Sequence, residues 1–234
     1  MRRMYKTGTQ PDTIATNSIE LNATRLQSNI YTQRSLSKLR NHRMTTLEKP
    51  SANPWQTKSS QQVYDNQWIS VHENKVINPS GGDGIYGVVH FKNLAIGILP
   101  VDSEQHTWLV GQYRYALEEY SWEIPMGGSP HADGPLEGAI RELKEETGLT
   151  AANWQTLMKV HPSNSVTDEI GHIYLATDLT EGEMEHEDTE ELLIKRVSVE
   201  HAVQMAMTDE ITDCMSVAAL LRLHIGLQSG EIVV

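Results

Sequence analysis

The chain has one cysteine, Cys214, among its 234 residues, so it can form no intrachain disulfide and no cysteine-based metal cluster. A reducing compartment, the cytoplasm, suits such a sequence. Cys214 itself, at the head of the apolar stretch Cys214–Leu223, reads as a small buried hydrophobe. The sequence also has no apolar run approaching the roughly 20 residues that a bilayer-spanning helix needs. Its mean hydropathy of -0.43 agrees, and no membrane partner is expected. Basic residues are scarce: 19 Lys+Arg stand against 31 Asp+Glu, and a formal charge of -12 lacks the basic face that binding a nucleic-acid backbone requires. There is no G-x-x-x-x-G-K-[ST] phosphate loop, no G-x-S-x-G elbow and no H-E-x-x-H zinc motif. What remains is an acidic chain, long enough for one well-buried core plus an appendage, that can handle phosphates only with a borrowed cation.

Charge divides the chain. Residues 1–43 hold Arg2, Arg3, Lys6, Arg25, Arg34, Lys38, Arg40 and Arg43 against Asp12 and Glu20, a net of +6, which leaves -18 on the remainder. Rich in Ser, Thr, Asn and Gln and without apolar periodicity, this segment cannot bury enough surface to offset its ordering entropy. It is expected to be a basic, mostly disordered extension, with a targeting segment or an extension upstream of a start at Met44 as alternatives. Residues 44–234 then form one domain, strand-rich over 44–92 and carrying the catalytic core over 93–234.

Short extended segments punctuated by turn residues predict strands at Val63–His72, Lys75–Asn78, Gly84–Phe91, Asn93–Val101 and Thr107–Arg114. A helix is predicted at Pro135–Thr147, strands near Trp154–Val160, Ile170–Ala176 and Leu193–Val199, and helices near Glu200–Met207 and Ile211–Ile225. This mixture implies an α/β (α+β) class, a mixed sheet flanked by helices. The acid run Glu181–Glu191 reads as a solvated loop.

The stretch Gly127–Leu149, GGSPHADGPLEGAIRELKEETGL, holds the most information. Gly134 at the N-cap, Pro135 at the first helical position and Glu137 in the first turn make a helix start, and Gly148 a stop. Leu136, Ala139, Ile140 and Leu143 recur at helical spacing and form the expected packing face. Glu142, Glu145 and Glu146 stand at i, i+3 and i+4, so their carboxylates share a face and repel one another unless a cation intervenes. Oxygen-only ligands of this kind suit Mg²⁺, or Mn²⁺, at a site that also binds substrate phosphates. The competing reading is a merely solvated acidic face.

Gly127, Asp133 and Arg141-Glu142-Leu143-Lys144-Glu145-Glu146-Thr147-Gly148-Leu149 resemble the Nudix box, G-x5-E-x7-R-E-U-x-E-E-x-G-U with U aliphatic. One position departs, Asp133 standing where the family has its first Glu. The resemblance extends from about Trp55 to Gly226 and is similar to the ADP-ribose pyrophosphatase branch, whose strand carrying an Arg and E-[LI]-P-A-G are matched by Gln112-Tyr113-Arg114 and Glu123-Ile124-Pro125-Met126-Gly127. It implies a Nudix fold, a mixed β-sheet sandwiched between helices, with Arg114 on a substrate phosphate and the Met126 carbonyl completing a metal site with Glu142 and Glu146. Taken without the motif, Arg114 could equally be a surface ion-pair partner.

Downstream, His161-Pro162-Ser163 to Thr167-Asp168-Glu169 falls where that branch has a proline marking ADP-ribose preference and a mobile loop ending in a catalytic Glu; Asn164-Ser165 replaces the usual Pro-Gly. The resemblance therefore implies Pro162 beside the substrate and Glu169 as base, with Glu145 sharing a second ion or activating water. Taken alone, Glu169 could be a solvent-facing acid before a strand, and His161 and His172 read as structural. The implied activity is Mg²⁺-dependent hydrolysis of ADP-ribose or a related nucleoside diphosphate sugar, giving AMP and ribose 5-phosphate from ADP-ribose. Other pyrophosphate substrates (GDP-mannose, a dinucleoside polyphosphate) and a non-catalytic nucleotide-sugar-binding module are the alternatives. The resemblance also implies a homodimer that uses the strand-rich N-terminal part.

Overall fold

Alternation along two central strands organises the core. Strand β4 (Asn93–Pro100) sends Leu94, Ile96 and Ile98 to one face and Leu99 to the other, and β9 (Gly171–Glu181) does the same with Tyr174 and Ala176 against Ile173 and Leu175. Both faces are apolar because both are covered, as expected for strands at the centre of a sheet with helices on each side. The two strands pair in parallel, Ala95 opposite Gly171, and antiparallel neighbours β7 (Met126–Pro130) and β8 (Leu149–Val160) complete a mixed sheet of order β7-β4-β9-β8. Helix α1 (Pro135–Thr147) covers the first face with Ala139 and Leu143. Helix α3 (Cys214–Ser229), with α2 (Val199–Met207), covers the second through Ala219, Leu220, Leu223 and Ala202. Fully burying one such aliphatic side chain stabilises by about 1.5–3 kcal/mol.

The structure, a computed structural model, describes residues 52–183 and 192–234. The basic segment 1–43 lies outside the described residues, as does most of the acid run Glu181–Glu191. Among the described residues no helix is long and apolar enough to cross a membrane.

Two three-stranded sheets complete the fold. β5 (His106–Arg114) lies between β10 (Leu193–Ser198) and β6 (Glu119–Glu123), all antiparallel. β1 (Gln56–Asp65), β2 (Ile69–Ile77) and β3 (Asp83–Phe91) form an N-terminal antiparallel meander. Every residue of β1 is exposed, and Val76 alone of the three strands is fully buried.

The predicted helix Pro135–Thr147 is found with those bounds, capped by Gly134 and by Gly148 in the left-handed region at φ 71°. Several expectations are corrected. The strand expected at Val63–His72 is broken at Asn66, whose side-chain oxygen accepts from the amides of Trp68 and Ile69, both at 2.8 Å, and turns β1 into β2. The gap expected between His72 and Lys75 does not exist, since β2 runs through it. β6 and β7 were unforeseen: Gly-Gly-Ser-Pro has the composition of a loop, and it becomes a strand by pairing with β4. The last helix starts at Cys214 rather than Ile211, because Asp213 caps it by accepting from the Ser216 amide at 2.7 Å. Ile140 is exposed, rotated off the α1 stripe. Cys214 is also exposed, standing at the first turn of α3 while Met215 and Ser216 behind it are buried.

Candidate active site

Beside the β5–β6 hairpin, a cavity of about 570 Å³ opens against β4 and β7. Its wall includes Arg114, Glu123, Met126, Gly127, Pro162, Glu169, Asp213 and Cys214. Residues far apart in sequence meet here because three loops converge: the β5–β6 hairpin, the β8–β9 loop and the turn into α3.

Arg114 ends β5 opposite Glu119, and Glu123 ends β6 four register steps away, opposite Val110. The Arg114 guanidinium donates through Nε to Glu123 Oε1 at 2.9 Å and through Nη2 to Oε2. This two-point geometry fixes the plane of the guanidinium. The hydrogen bond to buried Glu123 holds the Arg114 pKa above its usual value against the opposing effect of burial, and the charges of Asp213 and Glu146 act in the same direction. Arg114 is thus neither a simple surface ion pair nor an isolated cation. It is a half-buried charge held at the cavity wall, with part of its surface still open.

Gly127 and helix α1 form the neighbouring wall. A Cβ on Gly127 would lie 2.0 Å from the Glu142 carboxyl carbon, so this strand position can hold only glycine while Glu142 stays where it is. Glu142 and Glu146 are both buried. The Met126 amide donates to Glu146 Oε2 at 3.0 Å. Arg141 donates to Glu142 Oε1 at 2.6 Å, to Glu145 Oε2 at 2.7 Å and to the Gly128 carbonyl at 2.7 Å. Glu142 and Glu146 therefore lie against the Met126–Gly127 backbone, and Arg141 ties Glu142 and Glu145 to the Gly128 carbonyl, so the three are not the solvated face that an acidic helix usually presents. Among the described residues no three His, Cys, Asp or Glu side chains are grouped as a metal cage. The donor chemistry nonetheless fits a hard divalent cation, since the set is carboxylate and carbonyl oxygens alone. Asp133 sits in the exposed turn before α1, its amide donating to the Pro130 carbonyl at 3.1 Å.

The β8–β9 loop supplies Pro162 and Glu169 to the opposite side of the cavity. Burial pushes the Glu169 carboxyl pKa up, and the Asp213 charge pushes it further. His161 donates from Nδ1 to the Glu169 carbonyl at 3.2 Å, a structural contact. His172 lies within β9, its pKa held down by burial and by Lys159.

Sequence reasoning had not marked Glu123 and Asp213 as members of the site. Asp213 could have been found from its spacing: Asp three residues before Ser216, ahead of an apolar helix, is an N-cap pattern. Ser216 Oγ donates to Asp213 Oδ2 at 2.8 Å and accepts from the Ile124 amide at 2.9 Å, tying α3 to the end of β6.

Residues 91–216 match the family model described as NUDIX domain, and residues 55–89 match the Nucleoside diphosphate sugar hydrolase N-terminal domain. The chain is 30% identical over 174 residues to the ADP-ribose pyrophosphatase of Mycobacterium tuberculosis, covering 73% of this chain and 83% of that protein. It is 29% identical over 179 residues to the ADP-ribose pyrophosphatase of Bacillus subtilis, covering 75% and 96%. A solved structure, a crystal structure of an ADP compounds hydrolase, superposes with a TM-score of 0.70 at 22% identity over 79% of this chain and all of that one, a likeness of fold.

Proposed function

The chain belongs to the Nudix family of hydrolases, and on that premise we propose that it hydrolyses the pyrophosphate bond of ADP-ribose or a related nucleoside diphosphate sugar in a Mg²⁺-dependent reaction, with Mn²⁺ as a substitute. AMP and ribose 5-phosphate are the products from ADP-ribose. The observation that carries this reading is the meeting of Arg114, Glu169 and the Met126–Gly127 edge in one cavity, with the α1 carboxylates lying against that edge. Relatives named for ADP-ribose pyrophosphatase activity, aligned over most of their length, support the substrate class.

Glu142, Glu146 and the Met126 carbonyl would hold the metal ion, and Glu145 would share a second ion or activate water. The ion, when bound, neutralises charge on the nonbridging oxygens of the pyrophosphate. Arg114, fixed by Glu123, binds a substrate phosphate and stabilises charge that develops on it. Glu169 accepts the proton of the attacking water; a carboxyl pKa raised by burial and by Asp213 makes it a stronger base than an ordinary glutamate. Pro162 shapes the cavity beside the substrate. Reading Glu169 as the base needs no closure step, since the side chain already lines the cavity.

The active form is a homodimer built on the N-terminal meander, whose Val63, Tyr64, Trp68 and Ile85 are exposed, and the enzyme works in the cytoplasm. A phosphate-release panel with a coupled phosphatase tests the activity, using ADP-ribose, GDP-mannose and a dinucleoside polyphosphate with Mg²⁺. ADP-ribose should be preferred, with no release when the metal is chelated. Absence of turnover on all three with Mg²⁺ present would favour a binding module.

A further inference from the structure

The mechanism above leaves unused a side-chain cluster that joins the N-terminal meander to the loop that carries Glu169. Strand β3 and this loop form a short parallel bridge, Val89 opposite Thr167. The Val89 amide donates to the Val166 carbonyl at 2.9 Å, and the Asp168 amide donates to the Val89 carbonyl at 3.2 Å. Two side-chain contacts flank the bridge. Tyr86 Oη donates to the Ser165 carbonyl at 2.6 Å. Asp168 accepts through Oδ2 from His90 Nδ1 at 2.6 Å and through Oδ1 from the Phe91 amide at 3.0 Å.

Behind His90 the contacts continue across the meander. The His72 ring of β2 meets the His90 ring edge-on with centroids 4.9 Å apart, and its Nδ1 bonds Ser60 Oγ of β1 at 3.2 Å. On the other side of Glu169, the Ala95 amide of β4 donates to the Ile170 carbonyl at 3.0 Å. Glu169 therefore sits between two anchors, Asp168 on the N-terminal sheet and Ile170 on the central sheet. A carboxylate on an untethered loop would sample many positions, whereas a base must be held within a fraction of an ångström of its water.

We propose that Asp168, clamped by His90 and the Phe91 amide, is a positioning residue for Glu169, so that the N-terminal meander contributes to turnover through β3. This rests on the reading of Glu169 as the base. Its chemical content is limited to geometry: Asp168 exchanges no proton with substrate and binds no metal.

Steady-state kinetics on the full chain, with ADP-ribose and Mg²⁺, test it in five forms: unaltered, Asp168→Ala, His90→Ala, Glu169→Gln, and Asp168→Ala combined with Glu169→Gln. Asp168→Ala should lower kcat by about 10-fold to 100-fold, the range for a misplaced catalytic group, while KM changes by less than about 3-fold. His90→Ala, at a half-buried site of β3, should show the same split, and it guards against an Asp168→Ala protein that fails to fold. In the Glu169→Gln background, Asp168→Ala should cause no further loss, because its effect passes through the missing base. Asp168→Ala and His90→Ala at the unaltered rate, beside an impaired Glu169→Gln, would overturn this proposal alone. So would an equal fold-loss from Asp168→Ala in both backgrounds, which marks general disruption. Glu169→Gln at the unaltered rate would overturn the base reading, and this proposal with it.

Discussion

Glu146→Gln keeps an acceptor for the Met126 amide and removes one negative charge from the α1 cluster. Turnover should fall by at least about 10²-fold, the usual scale for losing a preorganised charge, with the circular dichroism spectrum unchanged; near-normal turnover with unchanged Mg²⁺ dependence would sink the metal assignment. Glu169 gives a pH expectation. Burial first, and then Asp213, raise its carboxyl pKa, and a base works only when ionised, so the acid limb of the kcat profile should lie above the range of an ordinary glutamate. Asp213→Asn still caps α3 but removes the neighbouring charge, which lowers the Glu169 pKa and should move that limb to lower pH. A limb that stays in place on titrating the variant would separate Asp213 from Glu169. At this scale the sequence was legible where chemistry is local. The i, i+3, i+4 spacing revealed Glu142, Glu145 and Glu146, and resemblance pointed to Arg114, Pro162 and Glu169. The Arg114–Glu123 pair depends on strand register, and the nearness of Asp213 to Glu169 depends on how α3 docks; no residue spacing encodes either.

Helix α1 and strand β7 show the same division between elements. Every signal that defines α1 lies within or beside it, so its bounds were readable. The strand character of Met126–Pro130 comes from β4, more than twenty residues upstream. Their packing gives an expectation with opposing contributions. Gly138 lies inside α1, where alanine would ordinarily stabilise by up to about 1 kcal/mol. A Cβ there would fall 2.5 Å from the Ser129 Cβ of β7, and forcing atoms into a packed contact costs about 1–3 kcal/mol. Overpacking wins, so Gly138→Ala should lower the urea midpoint while leaving the slope unchanged; a raised midpoint would mean that β7 yields easily.

For the whole molecule, the exposed apolar side chains of the meander predict a dimer that can be taken apart. Ile85 is 69% exposed on β3, and Ile85→Glu should shift the sedimentation coefficient from dimer to monomer without unfolding the chain. A monomeric unaltered protein would remove the dimer from the reading. That this part is strand-rich was legible from its extended segments and turn residues; which of its faces is buried was not, because the alternation in β1 to β3 is too weak to mark one. The parallel pairing of β4 with β9 has a consequence for synthesis. Ala95 waits for Gly171, which at ordinary elongation rates is on the order of ten seconds. During that interval β4 can pair with β7, yet its other edge is open and the apolar face that α3 will cover stays bare. A nascent chain halted before Gly171 would therefore be a client for holdase chaperones and prone to aggregate, and its cavity would lack the wall that residues up to Met215 supply.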